Sequence, residues 1–190
     1  NVGPTVSRDL ARKAVIAVIL AVITIVLYLA YSFREVTYPV SSWRFGLIAV
    51  VALLHDLIIS VGIFAILARF FGYEIDASFI TALLTIMGFS VHDTIVVFDR
   101  IRENLNRRQL SAETQFELIA DQSLTQTLNR SLATSLTVIF TLTALTILGG
   151  ESIRGFVVML LIGVTVGTYS SIFTATPLLP WGQAGVTRQK

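Results

Sequence analysis

The chain has no cysteine, two histidines and few charges. Without thiols there is no disulfide framework, no thiolate metal site and no cysteine nucleophile. Two imidazoles, His55 and His92, are too few for a multi-histidine metal site, so no metal and no cofactor is expected. Charged residues make up 14% of the 190, against roughly 25% in soluble domains. An ordinary water-soluble domain is therefore excluded, and disorder too, because it requires high charge and low hydrophobicity. No Gly-x-x-x-x-Gly-Lys phosphate loop occurs, so any energy input must come from a gradient or a partner. The Gly-x-Gly-Asp string of an intramembrane aspartyl protease is also absent, and no enzymatic activity is expected.

Apolar runs are what the chain has in abundance. Hydrophobic residues reach 54% and the mean hydropathy is +0.78. Stretches 14–33, 131–150 and 155–179 carry no charge, and 45–68 carries only Asp56. A fifth stretch, 75–98, holds Asp76 and Asp93 in an otherwise apolar setting. Each is about as long as the ~20 residues a membrane-crossing helix needs. Membrane strands would alternate over about 10 residues; these runs are continuous. The predicted fold is an all-α membrane protein with five transmembrane helices.

Short connections join these spans, except one. Residues 34–44 hold Tyr38, Pro39 and Trp43, an interfacial turn with aromatic anchors. The long connection, 99–130, contains Phe116, Ile119, Ala120 and Leu124 on one helical face. It predicts a cytoplasmic amphipathic helix over 111–124, capped by Ser111, lying on the membrane or against its neighbours. Residues 1–13 read as an external lead-in and 180–190 as a cytoplasmic tail.

Basic residues set the orientation. One side holds nine: Arg34, Arg44, Arg100, Arg102, Arg107, Arg108, Arg130, Arg188 and Lys190. The other holds five: Arg8, Arg12, Lys13, Arg69 and Arg154. The richer side is expected to be cytoplasmic, with Asn1 outside; an inverted topology is the alternative. Nothing before Ala14 resembles a signal peptide or an earlier span, so an upstream span is expected before residue 1.

Ionisable residues inside spans are functional candidates by default. Asp93 lies roughly 10 Å from the middle of its span and must be protonated or paired there. That makes it a candidate proton-relay carboxylate. Arg130, at the start of the fourth span, differs from it in depth by roughly 5 Å, so the two can meet. The other reading of Arg130 is a side chain snorkelling to the headgroups. Asp56 sits near the centre of the second span. It is either a second relay carboxylate or a buried helix-to-helix hydrogen-bonding group, the latter favoured because no basic residue shares its depth. The hydroxyls of Thr81, Thr85, Ser90, Thr94, Thr134, Ser135, Thr137 and Thr141 either pack helices together or line a water path. Gly163 and Gly167 have the spacing of a close helix contact.

The string Gly88-Phe89-Ser90-Val91-His92-Asp93-Thr94-Ile95-Val96-Val97-Phe98-Asp99-Arg100-Ile101-Arg102-Glu103-Asn104 closely resembles the signature of the SecF family of protein-export membrane subunits. The opening Val2-Gly3-Pro4-Thr5-Val6, the His55-Asp56 pair and Thr127-Leu128-Asn129-Arg130-Ser131 also fit that family. The resemblance implies that the chain is spans two to six of a six-span bacterial inner-membrane subunit, or the second half of a fused SecDF. It implies a proton-motive-force-driven role in late preprotein translocation, with SecD and the SecYEG translocon as partners and no nucleic acid. It places the proton-pathway carboxylate on Asp93 and its paired arginine on Arg130. Many members have Asn before that Asp, whereas here the residue is His92, which leaves His92 open as a further relay member. The competing function is a half-bundle of a proton-driven efflux transporter of the same superfamily, resistance-nodulation-division.

Overall fold

The computed structural model describes residues 4–32, 42–108 and 113–181. Apart from two short turns, all of these are helical. The helices are α1 (Pro4–Ser32), α2 (Ser42–Phe71), α3 (Ala77–Arg108), α4 (Glu113–Leu148) and α5 (Glu151–Ser170). A π-helical turn, Ser171–Ala175, then leads into α6 (Thr176–Trp181). Five helices are long and apolar enough to cross a membrane: 12–32, 44–71, 77–105, 116–148 and 151–179.

Local chemistry sets the ends of these helices. Gly72, at φ 73°, takes the left-handed position that ends α2, and its N–H bonds the Ala68 carbonyl at 2.9 Å. Asp76 caps α3: its carboxylate accepts the Phe79 N–H at 3.0 Å and the Ser78 hydroxyl at 2.5 Å. The Ser78 hydroxyl is the main reason the Asp76 carboxyl is held below its ordinary range. At Gly149 a Cβ would lie 2.3 Å from the Leu145 carbonyl oxygen, so the turn into α5 admits only glycine.

Two features differ from the sequence expectation. α1 begins at Pro4, so most of the expected lead-in is helix. Proline is well suited there, because a first-turn N–H has no helical partner anyway. The expected surface helix is not a separate element either: residues 113–124 run without a break into the fourth span. No glycine or proline interrupts 113–148, and the apolar face of the first turns has a partner. Phe116, Ile119 and Ala120 are buried, with Phe116 and Ala120 packed among Phe98 and Ile101 of α3. The proposed cap Ser111, the turn at 34–41 with Tyr38 and Pro39, and the tail beyond Trp181 lie outside the described residues.

α5 packs against α2, α3 and α4, and α3 also touches α1, α2 and α4. The close approach of α3 and α5 rests on the glycine pair the spacing pointed to. A Cβ on Gly163 would come within 2.2 Å of the Ile86 side chain, and one on Gly167 within 3.3 Å of Ser90 Cβ. Among the described residues three apolar clusters fill the bundle, around Phe45, Phe98, Ile101 and Leu179, around Leu53, Phe64, Ile86 and Met159, and around Leu142, Val157 and Val164. α2, α3, α4 and α5 also carry a layer of buried polar side chains, and it contains the candidate site.

Candidate functional site

The polar layer is built from small hydroxyls and two carboxylates. Asp56 of α2, Ser90, Asp93 and Thr94 of α3, Ser131 and Ser135 of α4, and Thr168 and Ser171 after it are all buried. Side-chain hydrogen bonds within the layer join α2 to α3, α3 to α4 and α4 to α5. The Ser90 hydroxyl donates to Asp56 Oδ2, joining α3 to α2. The Ser131 hydroxyl donates to Asp93 Oδ1 at 2.5 Å, joining α4 to α3. The Thr168 hydroxyl donates to Ser135 Oγ at 2.8 Å, joining α5 to α4. Thr94 and Ser171 meet at 3.2 Å. Buried polar groups need such partners, because nothing else in an apolar interior replaces water.

Among the described residues, Ser60 Oγ, Ser170 Oγ and Arg154 Nε are buried without a hydrogen-bond partner, and Asp93 is the one carboxylate that joins them. Its residue is 7% exposed, and Oδ2 has no hydrogen-bond partner. Asp56 differs, since both of its oxygens are engaged: Oδ2 by Ser90, Oδ1 by His55 Nδ1 at 3.0 Å. The structure thus separates the two carboxylates, one fully held and one with an open oxygen.

Arg130 is exposed on α4, next in sequence to Ser131. Adjacent helical residues point about 100° apart, so the helix that presents Ser131 to Asp93 turns Arg130 aside. Among the described residues no ion pair joins Asp93 to Arg130. His92 is likewise exposed, one residue from the buried Asp93. Of the hydroxyls singled out in the sequence, Ser90, Thr94 and Ser135 join the layer. Thr81, Thr85, Thr137 and Thr141 instead bond carbonyls of their own helices on exposed faces.

The charged end of the signature string has a structural job that its composition did not disclose. Arg100 Nε donates to Gln126 Oε1 at 2.6 Å, and Asn104 Nδ2 donates to Ser123 Oγ at 2.8 Å, tying α3 to α4. Arg102 donates to the carbonyl of Ser32 at 3.0 Å, satisfying a terminal carbonyl of α1. The π-helical turn was not legible either. Pro177 lacks the N–H that would bond the Phe173 carbonyl, and its ring crowds that carbonyl. The turn ahead of it widens, with Thr176 Oγ1 bonding the Ser171 carbonyl at 2.9 Å. That widened turn carries Ser171 against Thr94.

The family model of the protein export membrane protein SecD/SecF, C-terminal, matches residues 1–184. The chain belongs to that family. Among SecF relatives, the protein translocase subunit SecF of Thermobaculum terrenum is 55% identical over 94% of this chain and 55% of its own length. The subunit of the same name from Anaerolinea thermophila is 41% identical over 99% of this chain and 59% of its own. The crystal structure of SecDF, a translocon-associated membrane protein, from Thermus thermophilus superposes with a TM-score of 0.81 at 38% identity, over 96% of this chain and 23% of that one. SecDF in its super-membrane-facing form gives 0.76 at 36% identity. The chain spans about half the length of the SecF relatives it matches.

Proposed function

We propose that this chain is the membrane bundle of a subunit that uses the proton gradient to assist preprotein export. It works beside a SecD-like half and the SecYEG channel in the bacterial inner membrane. The observation that carries the reading is the open oxygen of Asp93. A buried acceptor without a donor is costly, and a proton, a water or the Arg130 guanidinium would each relieve the cost. Ser131 holds the other oxygen and keeps the carboxylate facing α4. Arg130 leaves its exposed position and pairs with Asp93 in the deprotonated state, and protonation releases it. The two states differ in how α3 and α4 sit against each other, which links proton binding to motion. Asp56 and His92 are not carriers in this scheme, since Asp56 is fully bonded and His92 points away from Asp93.

The test uses the full subunit with its partners in vesicles under an imposed proton gradient. Asp93→Asn is expected to abolish gradient-dependent stimulation of export while leaving assembly intact. Arg130→Met is expected to match it, and Arg130→Lys to retain part of the activity, because lysine keeps the charge and loses the planar fork. Normal stimulation by Asp93→Asn would end the proposal. The same scheme puts the start of α4 in the cytoplasm, so Thr125→Cys should react with an impermeant thiol reagent from that side alone.

A further inference from the structure

Asp56 is 1% exposed in the middle of α2, yet no part of the proton scheme uses it. Burying a carboxylate among apolar helices is costly unless it is paired and hydrogen-bonded. Here the pairing is complete. His55 Nδ1 lies 3.0 Å from Oδ1, and the Ser90 hydroxyl donates to Oδ2. The third side of the contact is α5, where a Cβ on Gly167 would lie 3.3 Å from Ser90 Cβ and 3.8 Å from Asp56 Oδ2. Three helices therefore meet at one hydrogen bond, with α5 packed closely against it at Gly167.

We propose that Asp56 is a positioning residue for Asp93: by holding Ser90 it fixes the rotation of α3 that turns Asp93 toward Ser131. Ser90 and Asp93 are three residues apart, which places them on neighbouring positions of one helix face. A slip of α3 by one residue's turn, about 100°, would bring His92 or Thr94 to the place of Asp93. The Asp56–Ser90 bond opposes that slip because breaking it strands a carboxylate oxygen in the interior. His55 supports the arrangement by donating from Nδ1, which leaves Oδ2 free to accept from Ser90. The proposal rests on the proton reading for its consequence in export, but its geometric claim stands by itself.

The chain has no cysteine, so a reporter pair is simple to install. Thr94→Cys with Ser171→Cys joins positions whose hydroxyls are 3.2 Å apart, and oxidative cross-linking then reports the setting of α3 against the π-helical turn that continues α5. The measurement is made in the full-length subunit, freed of other cysteines, with its partners in membrane vesicles. Asp56→Leu and Ser90→Ala are expected to slow cross-linking about fivefold, the size of one lost buried hydrogen bond, and to weaken gradient-driven export. Asp56→Asn keeps an oxygen that accepts from Ser90, so cross-linking and export should both stay within about twofold of the parent. If Asp56→Leu fails to accumulate, Ser90→Ala carries the same test. Unchanged cross-linking in Ser90→Ala would overturn the proposal. So would an Asp56→Asn variant that cross-links normally but loses export as Asp93→Asn does, since Asp56 would then be a proton carrier. Normal export by Asp93→Asn would end the proton reading alone, and the cross-linking would still decide the positioning claim.

Discussion

α1 and α5 are both membrane-length helices, and they are built on opposite rules. In the apolar stretch of 12–32, within α1, only 6% is buried within the chain; in that of 151–179, which begins with α5, the share is 56%. α1 presents Val15, Ile16, Ile19, Leu20, Ile23 and Leu27 on exposed faces. α5 buries Gly163, Gly167, Thr168 and Ser170 together with Val157 and Met159. In water the more apolar helix would be the inner one. Here small and polar residues mark the inside, because lipid solvates a leucine as well as a protein core does, and close approach and hydrogen bonds are what association gains. α3 follows α5, with Ser90, Asp93 and Thr94 on its buried side.

That contrast can be broken or sharpened by substitution. The largest effect is expected at Gly163→Leu, which drives a side chain into Ile86, already 2.2 Å from a bare Cβ. Overpacking of a filled contact costs about 1–3 kcal/mol or more, so the variant should lose most of its folded population in thermal unfolding in detergent. Shortening the obstacle with Ile86→Ala in the same chain should recover part of it. Ser131→Ala comes next. It leaves both oxygens of Asp93 without a donor, at a cost of about 1–3 kcal/mol, and should impair gradient-driven export more than it lowers expression.

Asp76→Ala lies at the rim and should cost about 1 kcal/mol, the usual price of a helix N-cap. Its pH dependence has a definite sign. The Asp76 carboxyl is held below its ordinary range by the Ser78 hydroxyl, with the Phe79 N–H contributing. Its contribution is therefore present above the unfolded carboxyl's range, about pH 4, and is lost as pH falls through the lower folded value. The parent should lose stability relative to Asp76→Ala in that acid window, read from melting curves at graded pH. The smallest effect is expected at Leu20→Ala on α1, within about 0.5 kcal/mol, because Leu20 is 58% exposed. A large loss there would mean that α1 is an inner helix after all.

Much of this was legible in the chain itself. Long uncharged runs dictate five crossing helices, since only a helix satisfies its own backbone in lipid. Asp93 declared itself through the cost of a carboxylate in such a run, and Gly163 and Gly167 through their spacing. The family resemblance carried by residues 88–104 is likewise a property of the sequence alone, and the match over residues 1–184 agrees with it.

Other features needed the third dimension. Nothing in the linear order says that Ser131, not Arg130, meets Asp93: depth can be counted along a helix, but azimuth depends on how α4 rotates against α3. Nor does it say that Asp56 is fully bonded while Asp93 keeps an open oxygen, because both are lone acids in apolar runs and their donors come from other helices. The ties from Arg100, Arg102 and Asn104 were hidden for the same reason, as mixed charges at a helix end read as solvated until their partners on α1 and α4 are seen. Composition and periodicity act along one helix and set what must be buried. Which buried group meets which is decided between helices, by the packing of Gly163 on Ile86 and of Phe116 among Phe98 and Ile101.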